Sequence, residues 1–86
     1  MTSQELKSIT TSNGVSKYKG VTTFRRGYFY SGGYTAQKFL DHVENKLIEH
    51  DVRFEYVDHG DHWAPFKGGA SLTNQSHWYV KVRITE

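Results

Sequence analysis

The stretch of sequence that decides the fold is residues 35–50, TAQKFLDHVENKLIEH. Apolar side chains recur there every three or four residues, which is the spacing of one helix face, and charged and polar side chains lie between them. The apolar positions are Ala36, Phe39, Leu40, Val43 and Leu47. Thr35 can cap the first turn, because its hydroxyl can accept a backbone N–H that has no partner within the helix. The pattern predicts one amphipathic helix from Ala36 to about His50, with its apolar face packed on a sheet.

Segments typical of strands flank this helix. Val15 to Phe24 is rich in Thr, Val and aromatic residues, and so is Tyr28 to Tyr30. We therefore expect a hairpin whose connection is Arg25-Arg26-Gly27. After the helix, residues 52–57 and, more regularly, residues 77–84 alternate apolar with polar side chains. Residues 58–76 between them read as a long loop, part of which can extend the two strands into a longer hairpin.

These elements predict a small α+β domain of β-β-α-β-β order, an antiparallel sheet with one helix packed on one face. With 86 residues the chain has room for one such domain. Residues 1–14 are rich in Ser and Thr, and we expect them to be a flexible N-terminal segment ahead of the domain at residues 15–86. The predicted core consists of Ala36, Phe39, Leu40, Val43, Leu47, Phe54, Tyr56, Trp78, Val80, Val82 and Ile84, with Val21 and Phe29 added.

Composition excludes several classes of protein. The chain has no cysteine, so it has neither disulfides nor thiolate metal ligands. The first residues lack the apolar region of a secretory signal, and no apolar run approaches the ~20 residues that cross a bilayer. We therefore expect a cytoplasmic protein that does not contact membranes and that carries no cofactor.

One segment combines positive charge with aromatic rings. Residues 17–30, KYKGVTTFRRGYFY, hold Lys17, Lys19, Arg25 and Arg26 together with five aromatic residues, and they contain no acid. We call this segment the basic aromatic hairpin. Residues 31–62 are acidic by contrast, with seven Asp and Glu against three Lys and Arg. Such a separation of charge orients binding partners.

The basic aromatic hairpin suits a surface that meets phosphates and flat rings. If the helix covers one sheet face, the polar side chains of the last strand lie on the other face and extend this surface. The sequence therefore predicts a non-catalytic protein that binds nucleic acid or a nucleotide. Phosphate contacts are expected from Lys17, Lys19, Arg25, Arg26 and Lys67, stacking from Tyr28, Tyr30 and Trp63, and further contacts from Tyr79, Lys81 and Arg83.

A protein partner is the first alternative. A thin core does not easily bury all of the aromatic rings in this part of the chain, and such residues anchor interfaces. These rings belong to Trp63, Phe66, Trp78 and Tyr79. An inhibitor or adaptor, of the type that a phage encodes to block a host or defence complex, fits these features. An edge strand could also pair with a second copy to give a homodimer.

The second alternative is a histidine-dependent or metal-dependent phosphodiesterase or nuclease. Residues 58–63, DHGDHW, place His59 and His62 close to two carboxylates, and His77 follows later in the chain. Imidazole and carboxylate groups can ligate a divalent ion, or two imidazoles can act as acid and base. His59 and His62 are three residues apart, so a turn at Gly60 would be needed for them to converge.

Overall fold

The computed structural model describes residues 2–27, 35–62 and 76–85. The four strands in these ranges form one antiparallel sheet of order β1-β2-β4-β3, and α2 packs on it. This confirms the predicted α+β class and the β-β-α-β-β order. None of the helices in the described ranges is long and apolar enough to span a bilayer. The elements are α1 (Ser3–Ile9), β1 (Gly14–Tyr18), β2 (Val21–Gly27), α2 (Ala36–Glu49), β3 (Phe54–His62) and β4 (His77–Ile84).

The first hairpin turns earlier than the sequence predicted. Tyr18 pairs with Val21, and the two residues between them, Lys19 and Gly20, both have positive φ angles, 49° and 79°. Two positive φ angles suit a tight two-residue hairpin turn, because its twist matches that of the strands. The predicted connection Arg25-Arg26-Gly27 lies instead within β2, where it pairs with β4. The predicted partner strand, Tyr28 to Tyr30, lies outside the described residues.

A helix occupies part of the N-terminal segment that the sequence predicted to be flexible. In α1 the Thr2 hydroxyl accepts from the Glu5 backbone N–H at 3.1 Å, and the Glu5 carboxylate accepts from the Thr2 N–H at 3.2 Å. This reciprocal cap satisfies two N–H groups that a helix start leaves unpaired. Such a short helix is marginal alone, and Leu6 anchors α1 because its side chain is fully buried in the domain core.

The core lies between α2 and one face of the sheet. Phe39, Leu40, Val43 and Leu47 form the buried face of α2, as its periodicity predicted. The Thr35 hydroxyl caps the helix by accepting from the Lys38 N–H at 3.2 Å. The sheet, α1 and the connection between α2 and β3 complete the cluster with Phe24, Trp78, Val80, Val82, Leu6 and Val52.

The predicted core differs from this cluster in a few places. Ala36, Phe54 and Ile84 are only partly buried, and so is Val21. Tyr56 is 49% exposed, because β3 is an edge strand with a register shift between Tyr56 and Asp58. Phe29 lies outside the described residues. The sequence prediction omitted Leu6, Phe24 and Val52 from the core.

The third strand continues beyond its predicted end at Val57. It runs to His62, which pairs with His77 at the start of β4. The polar residues 58–62 resemble a loop, yet they suit a strand whose one face is not covered by α2. The long hairpin that the sequence left open is therefore present over these residues. Residues 63–75, the rest of the predicted loop, lie outside the described residues.

Candidate functional site

The sheet face opposite α2, called here the open face, carries most of the polar strand residues. Directly paired residues on neighbouring strands point to the same face. Val80 and Val82 are buried on the α2 side, so the alternate residues of β4 and their partners point to the open face. These residues are Thr23, Arg25, Gly27, Glu55, Asp58, Gly60, His62, His77, Tyr79, Lys81 and Arg83.

A shallow depression of about 240 Å³ lies on the open face. Three adjacent strands contribute to it, because β2 and β3 both pair with β4 over this part of the sheet. The depression therefore combines two cationic side chains with three aromatic rings and two hydroxyls. Its lining residues are Thr23, Arg25, His62, His77, Tyr79 and Lys81.

Tyr79 is held in place at this depression by its neighbours on β3. Its ring lies over Gly60, where a Cβ would come within 2.8 Å of the Tyr79 hydroxyl oxygen. Burial raises the pKa of the Tyr79 hydroxyl, and the charges of Asp58 and Asp61 and a hydrogen bond with Asp58 raise it further. The hydroxyl therefore stays protonated at neutral pH.

Lys81 stands beside the Tyr79 ring, and Arg25 lines the same depression. Lys81 Nζ lies 5.4 Å from the ring centroid, within the range of a cation–π contact. Arg25 is the register partner of Tyr79 on β2, and its Nη1 donates to the Ser16 hydroxyl at 2.7 Å. The ring, the ammonium and the guanidinium thus come from adjacent positions of the sheet.

Acids on β3 offset part of this positive charge. The register sets Asp58 opposite Lys81 and Glu55 opposite Arg83. Opposite charges at directly paired positions attract each other. The positive potential of the open face is therefore expected to be highest on the β2 side, around Arg25.

Two of the three candidate histidines meet on the open face. His62 and His77 are register partners, with ring centroids 5.0 Å apart and planes inclined by 31°. His62 is exposed, whereas His77 is buried. His59 lies on the other face as the partner of Val80, and its Nδ1 is 2.6 Å from the Tyr56 hydroxyl. The turn at Gly60 that would bring His59 and His62 together is absent, because β3 continues through this residue.

Metal ligands are not assembled within the described ranges. No group of three or more His, Cys, Asp or Glu side chains there could hold a metal ion. The rings of the open face can stack on flat groups, and Arg25 and Lys81 can contact anions. Arg83 shares this face but does not line the depression.

The remaining predicted cations lie elsewhere. Lys17 pairs with Thr22, which pairs with Val82, so Lys17 points to the α2 side. Lys19 is in the hairpin turn, with its Nζ 5.4 Å from the ring centroid of Tyr18. The predicted contacts Tyr28, Tyr30, Trp63 and Lys67 lie outside the described residues.

Arg26 joins three elements of the fold on the α2 side of the sheet. Its Nη2 donates to the carbonyl oxygens of Thr10 at 3.3 Å and Thr11 at 2.8 Å. Its guanidinium carbon also lies 5.1 Å from the centroid of the Phe39 ring. Arg26 therefore connects β2 with the end of α1 and with α2, and it faces away from the depression.

The sequence prediction missed Thr23, which lines the depression beside Lys81. The signal available was the alternation with Phe24, which is buried on the opposite face. Comparisons of this chain with protein-family models, with curated proteins and with solved structures find no match, so its geometry alone indicates what the site can bind.

Proposed function

We propose that the open face binds single-stranded nucleic acid or a nucleotide. The observation that carries the proposal is the Tyr79 ring, which lies over Gly60 with Lys81 beside it and shares the depression with Arg25. A ring held in place stacks on a base of any sequence, because every base has a π face. Arg25 and Lys81, which lie on adjacent strands, supply contacts to phosphates, and the distance between strands sets the distance between these contacts.

Each side chain has a distinct role in this proposal. Tyr79 stacks on a base, and Lys81 and Arg25 bind phosphate oxygens. Thr23 offers a hydroxyl to sugar or phosphate, and exposed His62 offers a second ring or, when protonated, a further positive charge. None of these roles is catalytic, and none requires a metal or a cofactor. Single-stranded nucleic acids and nucleotides are abundant in the cytoplasm, which is the location we propose.

Fluorescence anisotropy with labelled single-stranded DNA and RNA, and with a labelled nucleoside triphosphate, tests the proposal. We expect Tyr79→Ala to weaken binding by about 5- to 150-fold, since loss of one stacked base contact costs about 1–3 kcal/mol. The change removes no charge from the protein, so the loss reports on the ring itself.

Tyr56→Ala is the matched control. Tyr56 is also an exposed ring, but it pairs with Val82 and so lies on the α2 side of the sheet, away from the depression. We expect this variant to bind as the unchanged protein does. Equal losses in the two variants, or no binding of any probe at low salt by the unchanged protein, would overturn the proposal.

A further inference from the structure

Two strands form the edges of the sheet. The order β1-β2-β4-β3 gives β1 and β3 one strand partner each among the described residues. Residues 16–18 of β1 and residues 55–58 of β3 are exposed. The outer backbone groups of an edge strand are available for pairing with another chain.

The two edges carry opposite charge. The segment from Gly14 to Gly20, which covers β1 and its turn, has Lys17 and Lys19 and no acid. The β3 strand has Glu55, Asp58 and Asp61 and neither Lys nor Arg. Pairing of β1 with β1 or of β3 with β3 would bring like charges together, whereas pairing of β1 with β3 brings opposite charges together.

The strand directions also suit pairing of β1 with β3. Neighbouring strands alternate in direction across this sheet, so β1 and β3 run in opposite directions. A second copy placed beside the first in the same orientation therefore sets its β1 antiparallel to the first copy's β3. The two sheets would continue as one antiparallel sheet without reversal of either copy.

Exposed apolar side chains concentrate on the same two strands. In the described ranges four large hydrophobic residues are exposed, and three of them are Tyr18 on β1 at 74% and Tyr56 and Val57 on β3 at 49% and 37%. Burial of these side chains would add to the backbone and charge contacts, because apolar surface removed from water stabilises an interface.

We propose that copies of this chain associate head to tail, with the β1 edge of one copy paired to the β3 edge of the next. The interface joins two different surfaces, so one edge stays free at each end and chains longer than two copies can form. The exposed part of β1 is short, so each contact is weak, and its charges make it sensitive to salt. This association does not depend on the proposed binding of nucleic acid.

Charge reversal tests the proposal. Sedimentation velocity of nuclease-treated protein at low salt should show association that grows with concentration. Lys17→Glu/Lys19→Glu makes both edges acidic, and Glu55→Lys/Asp61→Lys makes both basic, so each variant alone should be monomeric. An equimolar mixture of the two should associate again, because each edge then meets its opposite charge.

Lys7→Glu/Lys38→Glu is the matched control, since it changes the net charge as much as the first variant does but lies on α1 and α2. It should associate as the unchanged protein does. A second measurement needs no variant: high salt should dissociate the unchanged protein. A monomer at every concentration, association insensitive to salt, or a mixture of folded variants that stays monomeric would overturn the proposal.

Discussion

Gly60 controls the position of the ring on which the proposed site depends. It has no side chain where the Tyr79 hydroxyl and the adjoining ring carbons approach within 2.8–3.2 Å of a Cβ position. Its φ lies outside the region that only glycine favours, since Gly20 alone among the described glycines has a positive φ. The backbone therefore accepts another residue at this position, and the Tyr79 ring has to move.

We expect Gly60→Val to weaken binding of single-stranded nucleic acid several-fold while the melting temperature stays within a few degrees. Valine suits a strand, and this gain offsets part of the cost of moving Tyr79. Anisotropy titrations and thermal unfolding monitored by circular dichroism measure the two effects. Unchanged affinity would show that the Tyr79 ring position does not matter for binding.

His42 links α2 to the end of α1 and gives the fold a dependence on pH. Its Nε2 lies 2.9 Å from the Thr10 carbonyl oxygen and donates to it. Burial lowers the pKa of His42 below its ordinary value; the hydrogen bond to Thr10 opposes this, and the charges of Arg26 and Lys46 add to it. The unfolded chain therefore binds this proton more readily than the folded chain does.

It follows that the His42 contribution to stability is complete above the ordinary histidine pKa, about 6.5, and is lost as the pH falls towards the lowered pKa of the folded state. We expect acidification from about pH 7.5 to about pH 5 to lower the melting temperature more in the unchanged protein than in His42→Gln, whose amide can donate to Thr10 without titrating. Equal shifts in the two proteins would contradict this assignment.

The arginine pair of β2 shows which residue roles the sequence could predict. Alternation along residues 77–84 predicted that Tyr79, Lys81 and Arg83 share a face, and the pairing confirms this. Arg25 and Arg26 were expected to act together in a turn. They instead occupy successive strand positions and so point to opposite faces. Whether the two arginines lie in a strand or in a turn depends on the position of the hairpin turn, which the sequence did not predict.

At the scale of elements, α1 depends on one side chain. Leu6 is fully buried in the core cluster, whereas Ser8 on the same helix is exposed. We expect Leu6→Ala to lower the free energy of unfolding by about 2–5 kcal/mol, the usual range for truncation of a buried leucine. Ser8→Ala should change it by less than about 0.5 kcal/mol.

Urea unfolding followed by tryptophan fluorescence checks this prediction, because Trp78 lies in the same core cluster as Leu6. If residues 1–14 contributed nothing to the domain, both substitutions would leave the unfolding midpoint unchanged. A large loss for Leu6→Ala alone would establish α1 as part of the cooperative unit.

Some elements were easier to predict from the sequence than others. Helix α2 was predictable because its cap and its apolar spacing agree with each other and with its packing. The end of β3 was not predictable, because residues 58–62 have the composition of a turn and their pairing depends on a strand that is distant in sequence. Helix α1 was not predictable either, because its Thr2–Glu5 cap precedes only two apolar residues, Leu6 and Ile9.

At the scale of the whole molecule, the sequence predicted the class of fold and the order of its elements. It did not predict that β2 lies beside β4, and the depression exists only because of this neighbour relation. Adjacency of strands far apart in the chain depends on packing over the whole core, which local patterns do not record. The sequence could therefore assign Arg25, Tyr79 and Lys81 to one candidate surface, but it could not predict that Arg25 is the register partner of Tyr79.

Charge across the whole surface sets the salt dependence that we expect. Each phosphate contact releases condensed counterions, so affinity for a polyanion falls as salt is added. Lys81→Gln should reduce the slope of log affinity against log salt by about 1, whereas Lys38→Gln, on the first turn of α2, should leave it unchanged. Anisotropy titrations over a range of salt concentrations measure both slopes, and equal slopes would remove Lys81 from the phosphate contacts.

The position of β4 has a consequence for how the protein is made. The strand lies in the interior of the sheet, between β2 and β3, yet it comes last in sequence among the four described strands. On a translating ribosome the first hairpin and α2 emerge well before it, with their apolar faces still uncovered. The sheet therefore cannot close until residue 84 has left the exit tunnel, and the nascent chain should be a substrate for chaperones until then.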